Sequence, residues 1–210
     1  LAVVLTEYQK LYLKKYLTCP ILVLKHPCEN NFEKWSFEKW SNDKKLTQIG
    51  FYLRNTQLSF QIPDIENVKK IRLWSNSKWI SDYDNTVSNF WKATEKRKNI
   101  GTAKNVSFQT PSSYDKIISS SVVITETFDL AASNVVLDCI VRNTPLIINR
   151  SPAAEEYLGK DYPLYFESPL EIPSLLDKVK EANEYLANLD KTDISMEKFT
   201  SNLIKKINEI

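Results

Sequence analysis

Glycine is scarce in this sequence of 210 residues, which has only Gly50, Gly101 and Gly159. The phosphate-binding loops G-x-G-x-x-G and G-x-x-x-x-G-K-[ST] each need more glycines close together than this chain offers. Both motifs are therefore excluded. If the protein binds a phosphate group, a helix N-terminus and basic side chains must hold it.

Histidine and cysteine are also rare. The chain has one histidine, His26, and three cysteines, Cys19, Cys28 and Cys139, without a C-x-x-C motif. This set lacks the closely spaced ligands that a zinc site needs, so we predict no metal site. A small, odd number of cysteines is typical of a reducing compartment, and we predict a cytoplasmic location.

The sequence has neither a strong net charge nor a long apolar run. The net charge is +2, and the lysines are spread along the chain. We therefore expect no nucleic-acid binding. No stretch approaches the roughly 18 apolar residues of a membrane span, so none is predicted. Residues 1–6 contain no Met and resemble the interior of a β-strand. We therefore expect this sequence to be a piece of a longer protein.

Short β-type runs alternate with helical patterns along the chain. Residues 122–125 and 146–148 are apolar without alternation, as in strands buried on both faces of a parallel sheet. This order predicts an α/β fold, a Rossmann-like doubly wound parallel sheet with helices on both faces and C-terminal helices packing across it. We assign residues 1–20 to the end of an N-terminal half or a linker, residues 21–190 to the Rossmann-like domain, and residues 191–210 to a C-terminal helix.

Polar residues follow several of the predicted strands, and right-handed crossovers bring strand carboxyl ends to one edge. A helix that starts with small residues lets a phosphate approach its free N–H groups. Arginines can pair with phosphate oxygens, and a carboxylate inside the helix can accept from ribose hydroxyls. The predicted donor-binding residues are Arg54, Asn55, Asp129, Ala132, Ser133, Asn134, Asp138 and Arg150. The pattern identifies no catalytic residue.

These residues also have structural interpretations. The polar start of the helix can be only an N-cap. Arg150 can pair with Glu155 or Glu156, and Asp138 can be solvated at the helix edge. The combination is more specific than any single member, because three separate loops place compatible groups at one edge.

Several segments of the sequence resemble those of a known family. They are IGFYLR at residues 49–54, YDKIISSSVV at 114–123, SNVVLDCI at 133–140, NTPLIINR at 143–150 and EYLGKDYPLYF at 156–166. The chain resembles the C-terminal, donor-binding half of GT-B glycosyltransferases, in particular a group found in bacteria and large DNA viruses. The resemblance covers residues 1–189 and is most specific over residues 114–166.

The resemblance implies a retaining-type sugar transfer from a nucleotide-diphosphate sugar, usually without a metal, to a glycan, protein or lipid acceptor. Many members hold the sugar and the ribose with two acidic residues. Asp138 matches the second, whereas Leu130 stands eight positions earlier, next to Asp129. Arg54 matches the basic residue that faces the diphosphate, and residues 133–134 match the phosphate-side helix start. Complete members are considerably longer, which implies a missing N-terminal acceptor domain and little transfer activity from this piece alone.

Other interpretations stay open at this stage. The chain can be a non-catalytic α/β interaction module whose donor site has decayed, because Leu130 and Asp138 stand where glutamates are usual. A flavodoxin-like or receiver-like domain fits less well, since the acidic cluster that would hold Mg²⁺ after the first strand is missing. For a nucleotide-sugar site, we expect the loop at residues 108–113 to select the base, as in UDP or GDP.

Overall fold

The computed structural model describes residues 1–107 and 110–209 of the chain. Its strands are β1 (Ala2–Val4), β2 (Ile21–Val23), β3 (Lys45–Gln48), β4 (Lys69–Trp74), β5 (Lys104–Ser107), β6 (Val122–Thr125), β7 (Leu146–Asn149) and β8 (Tyr165–Phe166). Its α-helices are α1 (Glu7–Leu13), α2 (Phe37–Asn42), α3 (Leu58–Gln61), α4 (Lys78–Thr94), α5 (Pro111–Ser120), α6 (Asn134–Arg142), α7 (Pro152–Leu158), α8 (Ile172–Leu175), α9 (Val179–Asn188) and α10 (Met196–Ile207). Across the described residues, no helix combines the length and the apolar character that crossing a membrane requires.

Six parallel strands form the central sheet in the order β5-β4-β3-β6-β7-β8. All four residues of β6 and the first three of β7 are buried, because helices cover both faces of the sheet. The register places Leu46 opposite Val122 and Val123 opposite Leu146. The predicted Rossmann-like parallel sheet is confirmed.

The chain winds outward from β3 in two directions. It first adds β4 and β5, and α5 then carries it back to β6, on the other side of β3. Because parallel crossovers are right-handed, the helices of the two halves cover opposite faces of the sheet. The strand order reverses between β3 and β6, and ligands of such sheets bind at the carboxyl ends of the strands at this point.

The C-terminal helices differ in how they pack. Helix α9 buries Val179, Ala182 and Leu186 in the main hydrophobic core, at the helical spacing that the sequence shows. The expected packing of the C-terminal helices on the sheet is therefore confirmed for α9. Helix α10 starts at the N-cap Ser195 and buries none of its described residues.

The strands β1 and β2 form a separate two-stranded parallel sheet, with α1 as their connection. The boundary predicted at residue 20 therefore lies between two strands that pair with each other. This unit is fastened to α7, because the carboxylate of Glu156 accepts the N–H groups of Glu7 (2.7 Å) and Tyr8 (2.8 Å) at the start of α1. The division of the chain into three stretches stays a prediction.

Candidate functional site

The loops that follow β3 and β6 are joined by backbone hydrogen bonds. Arg54 and Thr127 form an antiparallel bridge. The N–H of Phe128 donates to the carbonyl of Leu53 at 2.9 Å. These bonds bring two of the three predicted loops together at the point where the strand order reverses.

The Arg54 side chain is half-buried and has no acidic partner in the described part of the chain. Its Nη1 donates to the carbonyl of Tyr52 at 2.7 Å, and its Nη2 donates to the Oγ of Ser133 at 2.7 Å. Its Nε is buried and has no hydrogen-bond partner there. Burial lowers the pKa of the guanidinium, yet an arginine keeps its charge in proteins. This arrangement leaves a positive charge at the sheet edge without a neutralising carboxylate.

The glycine before this loop makes room for the arginine. A Cβ at Gly50 would lie 2.6 Å from the Cδ and 2.7 Å from the Nε of Arg54. Gly50 also has a φ of +100°, which side chains rarely adopt. Both observations explain why one of the few glycines of the chain stands here.

Helix α6 starts beside Arg54 without a side-chain cap. Ser133 is its N-cap residue and is buried, but its side chain makes no cap hydrogen bond and instead accepts from Arg54. Ala132 is half-buried and Asn134 is exposed at the helix start. The free N–H groups of a helix start and its dipole favour an anion. The arginine and the helix start therefore form one electropositive seat.

Asp129 and Asp138, the two carboxylates in the predicted donor site, lie in different surroundings. Asp129 is exposed in the loop after β6, where its Oδ1 accepts from the N–H of Leu130 at 2.8 Å. Asp138 lies inside α6, where its Oδ2 accepts from the hydroxyl of Tyr114 (2.7 Å) and its Oδ1 from Arg142 (2.9 Å). Both oxygens of Asp138 are thus already bonded to protein groups, whereas Asp129 remains accessible.

Asn55 is fully buried beneath the loop and bonds only within the protein. Its Nδ2 donates to Gln61 (2.8 Å) and Glu126 (2.6 Å), and its Oδ1 accepts from the indole of Trp91 (2.9 Å). The structure therefore places Asn55 as a support of the loop that carries Arg54. A direct contact of Asn55 with a ligand stays a prediction.

The structure holds the Arg150 side chain against α7 and β8. Its Nη1 pairs with the carboxylate of Glu155 at 2.5 Å, and its guanidinium stacks on the ring of Tyr165 at 4.5 Å from the centroid. This is the structural alternative that the sequence offered. The side chain is 44% exposed, and its contact with a phosphate stays a prediction.

The loop expected to select the base is covered only in part, because residues 108 and 109 lie outside the described residues. The remaining residues of this loop form the start of α5, which has a capping box. The Thr110 side chain accepts from the N–H of Ser113, and the Oγ of Ser113 accepts from the N–H of Thr110.

Sequence reasoning missed an ion pair that supports the site. Arg97 donates to both oxygens of Glu126 at 2.5 Å, and the backbone carbonyl of Glu126 accepts from the N–H of Asn55 at 2.9 Å. The polar residues directly after the apolar strand β6 were a signal for Glu126. Arg97 lies in a run of charged residues, where the pattern predicts only a solvated surface.

Comparison with solved structures shows which fold this is. HepE of Anabaena in complex with UDP and glucose has a TM-score of 0.73 at 10% identity, over 100% of this chain and 63% of that chain. Sucrose-phosphate synthase of Thermosynechococcus elongatus has a TM-score of 0.65 at 8% identity, over 99% and 57%. TarM has a TM-score of 0.64 at 13% identity, over 98% and 42%. The chain has the Rossmann-like fold of these structures. It spans less than two thirds of their length, and neither a protein-family model nor a curated protein matches the sequence.

Proposed function

We propose that this chain is the donor-binding part of a glycosyltransferase of the GT-B type, which transfers a sugar from a nucleotide-diphosphate sugar to a glycan, protein or lipid acceptor. The observation that carries the proposal is the contact of Arg54 with Ser133 at the uncapped start of α6. A half-buried guanidinium without a carboxylate partner favours a bound anion, which would offset part of its desolvation.

The seat has the chemistry that a diphosphate needs. In sugar transfer from such a donor, the bond from the sugar to the diphosphate breaks, and negative charge develops on the diphosphate. A fixed arginine and a helix start stabilise charge that develops next to them, because their dipoles and charge are already oriented. These groups take the place that a metal ion fills at other diphosphate sites, so we propose transfer without a metal or other cofactor.

The remaining predicted residues take supporting roles in this proposal. Asp129 and Asn134 are exposed beside the seat, where they can accept from or donate to sugar hydroxyls. We propose that Asp138 accepts from the ribose hydroxyls, because each of its carboxylate oxygens can accept more than one hydrogen bond. Arg150 supplies a second positive charge for the phosphate oxygens in this proposal.

The solved structures support the donor class. HepE of Anabaena was solved in complex with UDP and glucose and in complex with UDP-glucose. All of this chain matches part of the HepE fold. UDP is therefore the first base to test, and GDP the second. Because this chain spans 63% of that structure, we propose that a further N-terminal domain completes the acceptor side. The three cysteines are free, which agrees with the cytoplasmic location that we propose.

A second candidate is a non-catalytic interaction module with a decayed donor site. The observation that favours it is Asp138, whose two oxygens are held by Tyr114 and Arg142 rather than left open. A module of this kind would keep the fold but bind no nucleotide.

Calorimetric titration separates the two candidates. The chain is titrated with UDP, GDP, TDP and their common sugar conjugates, in buffer that contains a metal chelator. Saturable binding of one base is expected for the glycosyltransferase, and it identifies the donor. No binding by any of these nucleotides would contradict the proposed seat and favour the interaction module.

A further inference from the structure

A cavity lies beside the segment that follows α4, apart from the Arg54 seat. Its volume is about 400 Å³, within the range of small-molecule sites, and none of the predicted donor-binding residues lines it. Its walls come from the C-terminal half of α4, from residues 95–99 and from Gln57. A ligand in this cavity would therefore be a second ligand, independent of the nucleotide seat.

The cavity carries unneutralised positive charge. Lys92 and Lys98 line it, and neither makes an ion pair or a side-chain hydrogen bond within the described residues. Glu95 also lines it and is likewise unpaired, while Arg97 is neutralised by Glu126. Two ammonium groups against one carboxylate favour an anionic ligand.

The remaining lining suits a ligand with several hydroxyl groups. Ser88 and Asn99 line the cavity, and the Ser88 hydroxyl and the Asn99 side-chain oxygen have no hydrogen-bond partner within the described residues. The Nδ2 of Asn99 donates to the Oε1 of Gln57 at 3.2 Å, which fixes the orientation of its amide. An amide and a hydroxyl with free capacity can bond sugar hydroxyls, and the Trp91 ring adds an apolar wall.

The wall formed by residues 95–99 is anchored within the wall and directly after it. Arg97 pairs with Glu126 at 2.5 Å, and the N–H groups of Ile100 and Gly101 donate to the carbonyl of Phe60 at 2.8 and 2.9 Å. At Gly101 a Cβ would lie 2.1 Å from the carbonyl oxygen of Ile62, so the segment approaches the backbone closely. An anchored wall lowers the entropy cost of ordering the site around a ligand.

We propose that this cavity binds a phosphorylated sugar, with Lys92 and Lys98 on the phosphate and with Ser88 and Asn99 on the ring hydroxyls. The inference does not rest on the proposed function, because the cavity and the Arg54 seat share no residue. Failure of one site therefore leaves the other standing.

The test uses glucose 6-phosphate, glucose and inorganic phosphate as probes, with binding followed by calorimetry and by amide NMR shifts. Glucose 6-phosphate should bind saturably and more tightly than either fragment. The double variant Lys92→Gln/Lys98→Gln should weaken it about tenfold or more, the scale of a lost charge-assisted hydrogen bond. Glu95→Gln should instead tighten it about two- to fivefold, since it removes an opposing exposed charge.

A matched control is Lys14→Gln/Lys180→Gln, which removes the same charge from exposed positions outside the cavity. It should leave the affinity for glucose 6-phosphate unchanged. Equal weakening in both double variants would overturn the proposal, because it would assign the effect to net charge. Absence of saturable binding would overturn it as well. Binding to vesicles of phosphatidylglycerol without binding of glucose 6-phosphate would also overturn it, since the lysines would then serve a membrane surface.

Discussion

The Nη2 of Arg54 lies 2.7 Å from the Oγ of Ser133, so a cation from the loop after β3 occupies the hydroxyl that would otherwise cap α6. The two residues are 79 positions apart in the chain. Their contact joins a positive charge and a helix start in one place. Two features that each attract anions weakly are thereby combined at the position that we propose for the diphosphate.

Arg54→Ala tests this seat directly. The substitution should weaken the binding of a nucleoside diphosphate by about 1.5–3 kcal/mol, the scale of charge-assisted hydrogen bonds. Titration calorimetry with the base that the wild-type chain binds measures the change. Arg54→Lys should recover only part of the affinity, because an ammonium group lacks the planar fork. Unchanged affinity in a folded Arg54→Ala protein would show that the diphosphate binds elsewhere.

Gly50→Ala should disturb the same seat indirectly, by displacing the Arg54 side chain. The added Cβ would lie 2.6 Å from the Cδ of Arg54, and the φ of +100° is strained for alanine, so the side chain of Arg54 must shift. We expect a loss of about 1–3 kcal/mol in the free energy of unfolding, measured by urea denaturation, together with a loss of nucleotide affinity.

Gly159→Ala is the matched control for that experiment. Gly159 also has a positive φ, of +83°, and a Cβ there would lie 2.4 Å from the Tyr185 hydroxyl. This variant should lose stability but keep nucleotide affinity, since Gly159 ends α7 rather than supporting Arg54. If both variants lose affinity equally, the effect reports stability and not the position of the arginine.

The sequence predicts the elements around the site well because their signals are local. The apolar runs of β6 and β7 and the amphipathic α6 are each defined by residues close in the chain. The convergence of strand carboxyl ends at one edge led to the expectation that Arg54 and the start of α6 serve one ligand, and the resemblance to a known family agreed with it.

Other features escaped prediction because their partners are distant in the chain. Strand β2 pairs with β1 and not with the central sheet, a choice that no local pattern encodes. Arg142 ends α6, where a cation usually faces water, yet it is 2% exposed because residues from two other segments surround it. Asn55 looks like a loop residue in the sequence, but the Trp91 indole and Glu126 hold it inside.

Stability at acidic pH should depend in part on Asp43. The Asp43 carboxylate accepts from Lys45 (2.6 Å) and Lys69 (2.7 Å) at the start of β3 and β4, which lowers its pKa from 3.8 to about 2. Because the pKa is depressed in the folded state, the contribution is present above the unfolded value and is lost as the pH falls from about 4 to about 2.

Asp43→Asn measures this contribution. The carboxylate is 42% exposed, so the variant should lose at most about 1 kcal/mol of unfolding free energy at pH 7. The difference between the two proteins should shrink as the pH falls toward 2, in urea denaturation at a series of pH values. A difference that stays constant down to pH 2 would mean that the charge of Asp43 does not stabilise the fold.

Arg142→Met should lower the free energy of unfolding more than Asp115→Asn does, although Arg142 lies at the end of α6, away from the seat. Its guanidinium pairs with Asp115 (2.5 Å) and Asp138 (2.9 Å) and stacks on the Phe32 ring at 3.8 Å. Removing it leaves Asp138, whose side chain is 19% exposed, without its cation, and we expect a loss of about 2–4 kcal/mol in unfolding free energy. Asp115→Asn, at a side chain that is 42% exposed, should cost less than about 1 kcal/mol. Similar losses in both variants, measured by urea denaturation, would show that burial of the Arg142 charge does not govern its role.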